Sequence, residues 1–332
     1  MNLPSLLKSG GQGRSLFVKV AVSIALLALL LAVVDVEEVL RILPAVNLYY
    51  ILLALAIITA DRLLMSIKWR ILLQAAGLRL PMFDVIRAYY IGNLAGSFLP
   101  TTVGLDVTRA WILTRRGQDL AGVASSIVVE RTVGLIVLAL FSTVGATVLV
   151  TELGVDFAVA AWVSASLLAA MALAFAFSLS RRGRRLLEGG LRLVPHRRLL
   201  KGLRKMHSSY QDYRGAGGAL AAFFALTVLE TVLPIISSYF TAQALGVELA
   251  LYYFFVVMPV YLFIARVPAL PNVIGVQEGL LVLLFSFVDV LPAEAFAIGL
   301  VRRVLAVVGV SPGLIFYLFD GGARKEALGH TD

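Results

Sequence analysis

The 332-residue chain contains no cysteine and only three histidines. The first absence excludes disulfides and thiol chemistry and leaves the redox compartment open. His196, His207 and His330 lie in basic or terminal polar segments, so no imidazole is available for a metal site within an apolar interior. No paired-aspartate metal motif and no Gly-rich phosphate loop closed by Lys-Ser/Thr is present, so neither a metal, a cofactor nor ATP is expected. Charge is also scarce: 15% of residues, against roughly 25% in an average soluble domain. What remains is apolar. Hydrophobic residues make up 60% of the chain, and mean hydropathy is +0.92. A soluble fold could not hide that surface. The expected fold is an all-α polytopic membrane protein, one membrane domain over 1–332.

The formal charge of +9 is confined to one segment. Eleven Lys/Arg fall between Arg181 and Arg214, against two acids, Glu188 and Asp212, which accounts for the whole excess. Such a concentration marks a cytoplasmic loop, here taken as 180–215. Leu199, Leu200, Leu203, Met206 and Tyr210 recur there at helical spacing. They suggest an amphipathic surface helix that attracts anionic phospholipid. Without interleaved aromatics, a nucleic-acid partner is not expected.

Apolar runs of about 20 residues divide the chain into spans. Leu16–Val34 follows Lys8 and Arg14 like a signal peptide, but no small-x-small cleavage site follows, so it reads as a span. Leu48–Lys68, Leu120–Val150, Phe157–Leu179, Gly218–Ala244 and Ala295–Phe319 complete about six full spans. The segments Phe83–Arg116 and Leu251–Asp289 differ: each is apolar, interrupted near its middle, and flanked by like charges. Each reads as a re-entrant broken-helix hairpin. Both termini then face the cytoplasm of a cell-membrane protein. The elements sort into two inverted repeats, 15–150 and 157–320.

The interruptions share a pattern. Leu99-Pro100-Thr101-Thr102-Val103-Gly104-Leu105 recurs in outline as Leu270-Pro271-Asn272-Val273-Ile274-Gly275-Val276. An acid follows each, Asp106 and Glu278, and an arginine follows each glycine by 27 positions, Arg131 and Arg302. Pro100, Gly104, Pro271 and Gly275 are candidate hinges, because proline removes a backbone donor and glycine loosens the chain.

Charges at the bilayer centre cost about 2.5–3.5 kcal/mol each on insertion scales, so they pair or mark a pathway. The candidates are Asp61, Arg62, Asp106, Arg109, Glu130, Arg131, Glu230, Arg266, Glu278, Arg302 and Arg303. Their signs nearly balance, so a structural network of ion pairs is one reading. Asp106 stands where an N-cap belongs, and Arg109 lies one turn on, able to pair with it. Glu130 and Arg131 point about 100° apart on a helix and are not expected to serve one face. In the other reading Arg131 and Arg302, with Arg109, clamp an anionic headgroup. Thr101, Thr102 and Asn272 either satisfy freed backbone groups or bind ligand. Asp61 and Glu230 are possible coupling residues.

At these residues the chain resembles the lysylphosphatidylglycerol synthase transmembrane, or flippase-like, family. The likeness rests on Asn93, Leu99-Pro100 through Gly104, Asp106, Arg109, Glu130-Arg131, Pro271, Gly275, Glu278 and Arg302, and covers roughly 15–320. It departs at Pro271-Asn272-Val273, where relatives often carry Pro-Gly-Gly. The resemblance implies movement of a lipid between leaflets. The chain has no room for the soluble aminoacyl-transferase domain, so a stand-alone protein is expected and synthase chemistry is not. The function expected is transbilayer movement of an anionic lipid or lipid-linked intermediate, not catalysis. The alternatives are a membrane-embedded transferase acting on a polyprenyl-linked or phospholipid substrate, with the buried acids as bases, and a small-anion secondary transporter.

Overall fold

The computed structural model describes residues 37, 46–98, 103–152, 154, 158–180, 182, 197–266 and 275–319. The span expected at Leu16–Val34 lies outside them, as do Pro100, Thr101, Thr102, Pro271 and Asn272. The described residues form helices α1 (Leu48–Ala75), α2 (Met82–Phe98), α3 (Val103–Arg115), α4 (Leu120–Thr151), α5 (Ala158–Leu179), α6 (Arg197–Asp212), α7 (Gly217–Ala244), α8 (Leu251–Ala265), α9 (Val276–Phe285), α10 (Pro292–Val310) and α11 (Pro312–Leu318), with no strand among them. Among the described residues, five stretches are long and apolar enough to cross a membrane: α1, α4, 161–178 within α5, α7, and α10 continued through α11. The chain is an all-α multi-pass membrane protein.

The α1–α7 pair is the spine. Both helices have 28 residues, and they run antiparallel. The Asn47 amide donates to the Ala244 carbonyl at 2.8 Å, Tyr50 stacks on Phe240, and the Ser237 hydroxyl donates to the Ala54 carbonyl. At the other end the Tyr213 hydroxyl reaches the Leu72 carbonyl at 2.8 Å. Asp61 and Glu230 are each the fourteenth residue of their helices, so both acids fall at mid-helix.

α2 and α3 form a helical hairpin, packed through Gly92 and Gly96 of α2 against Leu105 of α3. α8 and α9 are the second pair of short apolar helices. Each pair packs against the closing span of the other half: α8 on α4, α2 on α11. Both contacts need glycine. A Cβ on Gly145 would fall within the van der Waals envelope of the Val256 carbonyl oxygen, and one on Gly313 would strike the Tyr90 carbonyl. Apolar side chains fill the space behind these crossings, with Val257, Met258, Leu284 and Phe285 in one cluster and Trp69, Leu73, Tyr89 and Leu113 in another.

The basic amphipathic segment is helical, as its spacing suggests, but part of its inner side docks on protein. α6 packs along α4, and the Tyr210 and Ser178 hydroxyls share a hydrogen bond at 2.6 Å. Lys205 pairs with Asp119, the N-cap of α4, whose side chain accepts from the Gly122 amide. The ammonium of Lys205 holds the Asp119 carboxyl below its ordinary range.

The Gly145 contact gives a stability prediction. Gly145→Ala pushes a methyl against backbone that cannot yield, and should destabilise the protein by about 1–3 kcal/mol, as overpacking does. Thermal unfolding in detergent measures this. A melting temperature equal to wild type would mean that the α4–α8 crossing is looser than described.

Candidate functional site

The site is organised by Arg109. Its side chain is 1% exposed, projecting from α3 between the rings of Trp69 (4.6 Å from guanidinium carbon to centroid) and Tyr89 (5.3 Å). Two carboxylates compensate it: Glu130 Oε2 lies 2.6 Å from Nη1, and Asp106 Oδ1 accepts from Nη2 at 2.8 Å. The other Asp106 oxygen accepts from Nε of Arg131 at 2.9 Å. Asp106 lies in the first turn of α3. It bridges two arginines across α3 and α4.

Glu130 and Arg131, expected on different faces, join the same cluster. The 100° between them is taken up by the reach of Arg109 toward one and of Asp106 toward the other. The cluster borders a cavity of about 300 Å³, at the lower end of the roughly 300–1,000 Å³ typical of small-molecule sites. Met65, Leu105, Gly134 and Leu135 supply apolar wall. Among the described residues its charged lining is four cations (Lys68, Arg109, Arg131, Arg266) and three acids (Asp106, Glu130, Glu230), leaving one formal positive charge in excess. Arg131 and Arg266 are its exposed cations, with side chains 38% and 35% accessible; Lys68 and Arg109 are at 3% and 1%.

Lys68 was read from sequence as the inner end of a span, but α1 continues to Ala75 and buries it. Its ammonium lies 2.7 Å from Glu230 and 5.1 Å from the Phe223 ring centroid. The apolar run through Trp69, Leu72 and Leu73 is the signal that could have extended the helix. Trp69 and Tyr89 were likewise not foreseen. Glu230 also faces Arg266 at 3.9 Å. Asn93 donates to the Tyr89 carbonyl one turn back.

The second half is built differently. Glu278 accepts from the Gly275 amide at 2.8 Å and from Nε of Arg303 at 2.6 Å. Gly275 has φ of 97°, a conformation L side chains rarely adopt. The arginine on Glu278 is thus Arg303, not the Arg302 that counting from glycine selects. Asp106 to Arg131 and Glu278 to Arg303 are both 25 positions apart, because the acid follows its glycine by two residues in one half and three in the other. Arg302 lies over the Tyr261 ring at 4.9 Å and lines a separate cavity of about 80 Å³ with Asp61 and Arg62. Arg131 and Arg302 therefore border different cavities and do not form one clamp.

Residues 16–313 match the family described as the lysylphosphatidylglycerol synthase TM region. The chain belongs to this family. No curated protein matches it. Among the described residues, no group of three or more His, Cys, Asp or Glu is placed to hold a metal ion.

The Arg109–Glu130 pair yields a double-mutant prediction. Arg109→Leu alone strands Glu130 in the interior and should cost about 3–5 kcal/mol, whereas adding Glu130→Leu should recover most of it. Unfolding free energies of the two singles and the double, measured in one detergent, decide this. Additive losses would show that the pair is not coupled.

Proposed function

We propose that the protein moves an anionic lipid, or a lipid-linked anionic intermediate, between membrane leaflets through the 300 Å³ cavity. The observation that carries this reading is the lining of that cavity, which combines excess positive charge with two accessible arginines, Arg131 on α4 and Arg266 at the C-cap of α8. Membership of a lipid-associated membrane family supports it. A phosphate headgroup is a natural occupant, because guanidinium forks match its oxygens, while the apolar tails stay in the bilayer.

The two halves work as inverted repeats in the cell membrane, with both termini in the cytoplasm. The α2–α3 and α8–α9 pairs act as re-entrant elements that rock against the α1–α7 spine and expose the site to each side in turn. Anionic phospholipid engages the basic segment Arg181–Arg214 at the cytoplasmic surface. Ion pairing favours transport over a transferase: Asp106, Glu130 and Glu230 each face a cation within 3 Å, which opposes their use as general bases.

Arg131→Ala and Arg266→Ala should each slow transbilayer movement of labelled phosphatidylglycerol in proteoliposomes by tenfold or more, while Glu248→Gln, at an exposed residue that does not line the cavity, should not. Movement at the wild-type rate in both folded arginine variants would remove the cavity from the pathway.

A further inference from the structure

Four acids of the described residues are both buried and part of the helix bundle: Asp61, Glu130, Glu230 and Glu278. Three have close donors. Glu130 has Arg109 at 2.6 Å, Glu230 has Lys68 at 2.7 Å, and Glu278 has the Gly275 amide and Arg303. Asp61 does not. It is 5% exposed, and its buried Oδ1 has no hydrogen-bond partner. Among the described residues its Oδ2 has only Arg62 at 3.7 Å, beyond hydrogen-bonding distance, and the same Arg62 nitrogen is 3.3 Å from the Met65 sulfur. Burying a carboxylate without donors is costly in its ionised form and far less so once it carries a proton.

The surroundings supply a route and an acceptor. Asp61 lines the 80 Å³ cavity, which has room for water, and buried water needs polar walls such as these. Pro234 lines the same cavity and has no amide to give the Glu230 carbonyl one turn back on α7. The charged or titratable groups around Asp61 are Arg62 and Lys68 on its own helix, Glu230 on α7, Arg266 after α8, Arg302 on α10 and Tyr90 on α2. The cations exceed the remaining acid, so they do not by themselves force Asp61 to accept a proton. Burial away from water, with no hydrogen-bond donor among the described residues to offset it, is what favours the neutral form.

Position gives the proton a use. The two cavities follow one another along α1, with Ile58, Asp61 and Arg62 on the smaller and Met65 and Lys68 on the larger. Asp61 and Lys68 are seven residues apart, about 10 Å of helix rise. Within the membrane, charges at that range feel one another.

We propose that Asp61 is a proton-binding site, and, resting on the transport reading above, that its protonation and the binding of an anionic headgroup in the larger cavity favour each other. Water in the small cavity delivers the proton, the Asp61 carboxylate becomes a neutral carboxyl, and one negative charge disappears beside the site. An anion then binds more readily, and by linkage a bound anion promotes protonation to the same degree. A monoanionic lipid travelling with one proton carries no net charge.

Two measurements separate the parts of the proposal. Infrared difference spectra of purified protein across a pH titration should show a protonated-carboxyl band that is absent in Asp61→Asn. Asp61→Glu should move the band rather than abolish it. If Asp61→Asn does not fold, Asp61→Glu carries the test. A band left unchanged by the substitution would overturn the proton site.

The second measurement uses NBD-labelled phosphatidylglycerol in phosphatidylcholine proteoliposomes bearing a gradient of one pH unit. One proton per lipid should enrich the label up to about tenfold in the leaflet facing the alkaline side, and Asp61→Asn should show no enrichment. Lipid movement indifferent to the gradient in wild type would overturn the coupling. A titrating Asp61 band with no lipid movement at all would retain the proton site and reject the transport reading for this lipid.

Discussion

No charge in the membrane interior is left without a compensating one at low cost, and Arg109 is where this constraint presses hardest. A guanidinium almost wholly removed from solvent must be balanced on the spot, since an uncompensated buried charge costs several kcal/mol. Glu130 and Asp106 supply the charge, and Trp69 and Tyr89 supply ring faces. These four partners come from α1, α2, α3 and α4. One ion therefore ties four helices together, and the wall of the large cavity is what that tie leaves open. Stability and site share one cause here. The residue that holds the helices in place also sets the electrostatics of the space between them.

The same accounting explains why the two halves diverge. Taking Asp106 and Glu278 as equivalent, Arg131 corresponds to Arg303, and both pairs tie a short helix to the long helix that follows. In that register Arg109 corresponds to Leu281, and Glu130 corresponds to Arg302. Losing the inner arginine makes an acid at the next position unnecessary, and an arginine there must find another partner. Arg302 does so against the face of Tyr261, in a cavity that also holds Asp61. The paired-charge cluster thus exists in one half only, and the other half turns its cation toward the α1–α7 crossing.

Much of the architecture was legible in the sequence, because apolar run length and a proline–glycine interruption are local signals. The boundaries of α4 and α7 fall within one residue of those read from composition, and the pairing of Asp106 with Arg109 follows from one helical turn. What was not legible is non-local. Lys68 and Glu230 are 162 positions apart, and nothing in their spacing announces a contact. Lys68 reads as a membrane-edge residue from sequence because basic residues gather in the cytoplasmic loops that flank spans. The Arg302 assignment failed for a related reason: glycine is a conspicuous landmark, yet the acid sets the register, and Glu278 stands one residue further from its glycine than Asp106 does from its own. Asn93 donates to the Tyr89 carbonyl one turn back, and Thr101, Thr102 and Asn272 lie outside the described residues.

On the transport reading proposed above, the site must release what it binds, and the arrangement around Arg131 suits that need. Arg109 is enclosed by carboxylates and rings and is poorly placed to meet a substrate, so its role is to hold the wall. Arg131 is bonded to Asp106 yet substantially exposed to the cavity. In that proposal an arriving phosphate would exchange with, or share the arginine with, the Asp106 carboxylate already present. The net gain from such an exchange is small even where each ion pair is strong, since the carboxylate loses what the phosphate gains. Arg266, held more loosely at 3.9 Å from Glu230, sits in the same balance. A cavity of uncompensated arginines would trap an anion, and one of fully satisfied arginines would ignore it. Cations that are paired but accessible fall between these limits, where loading and unloading are both shallow steps.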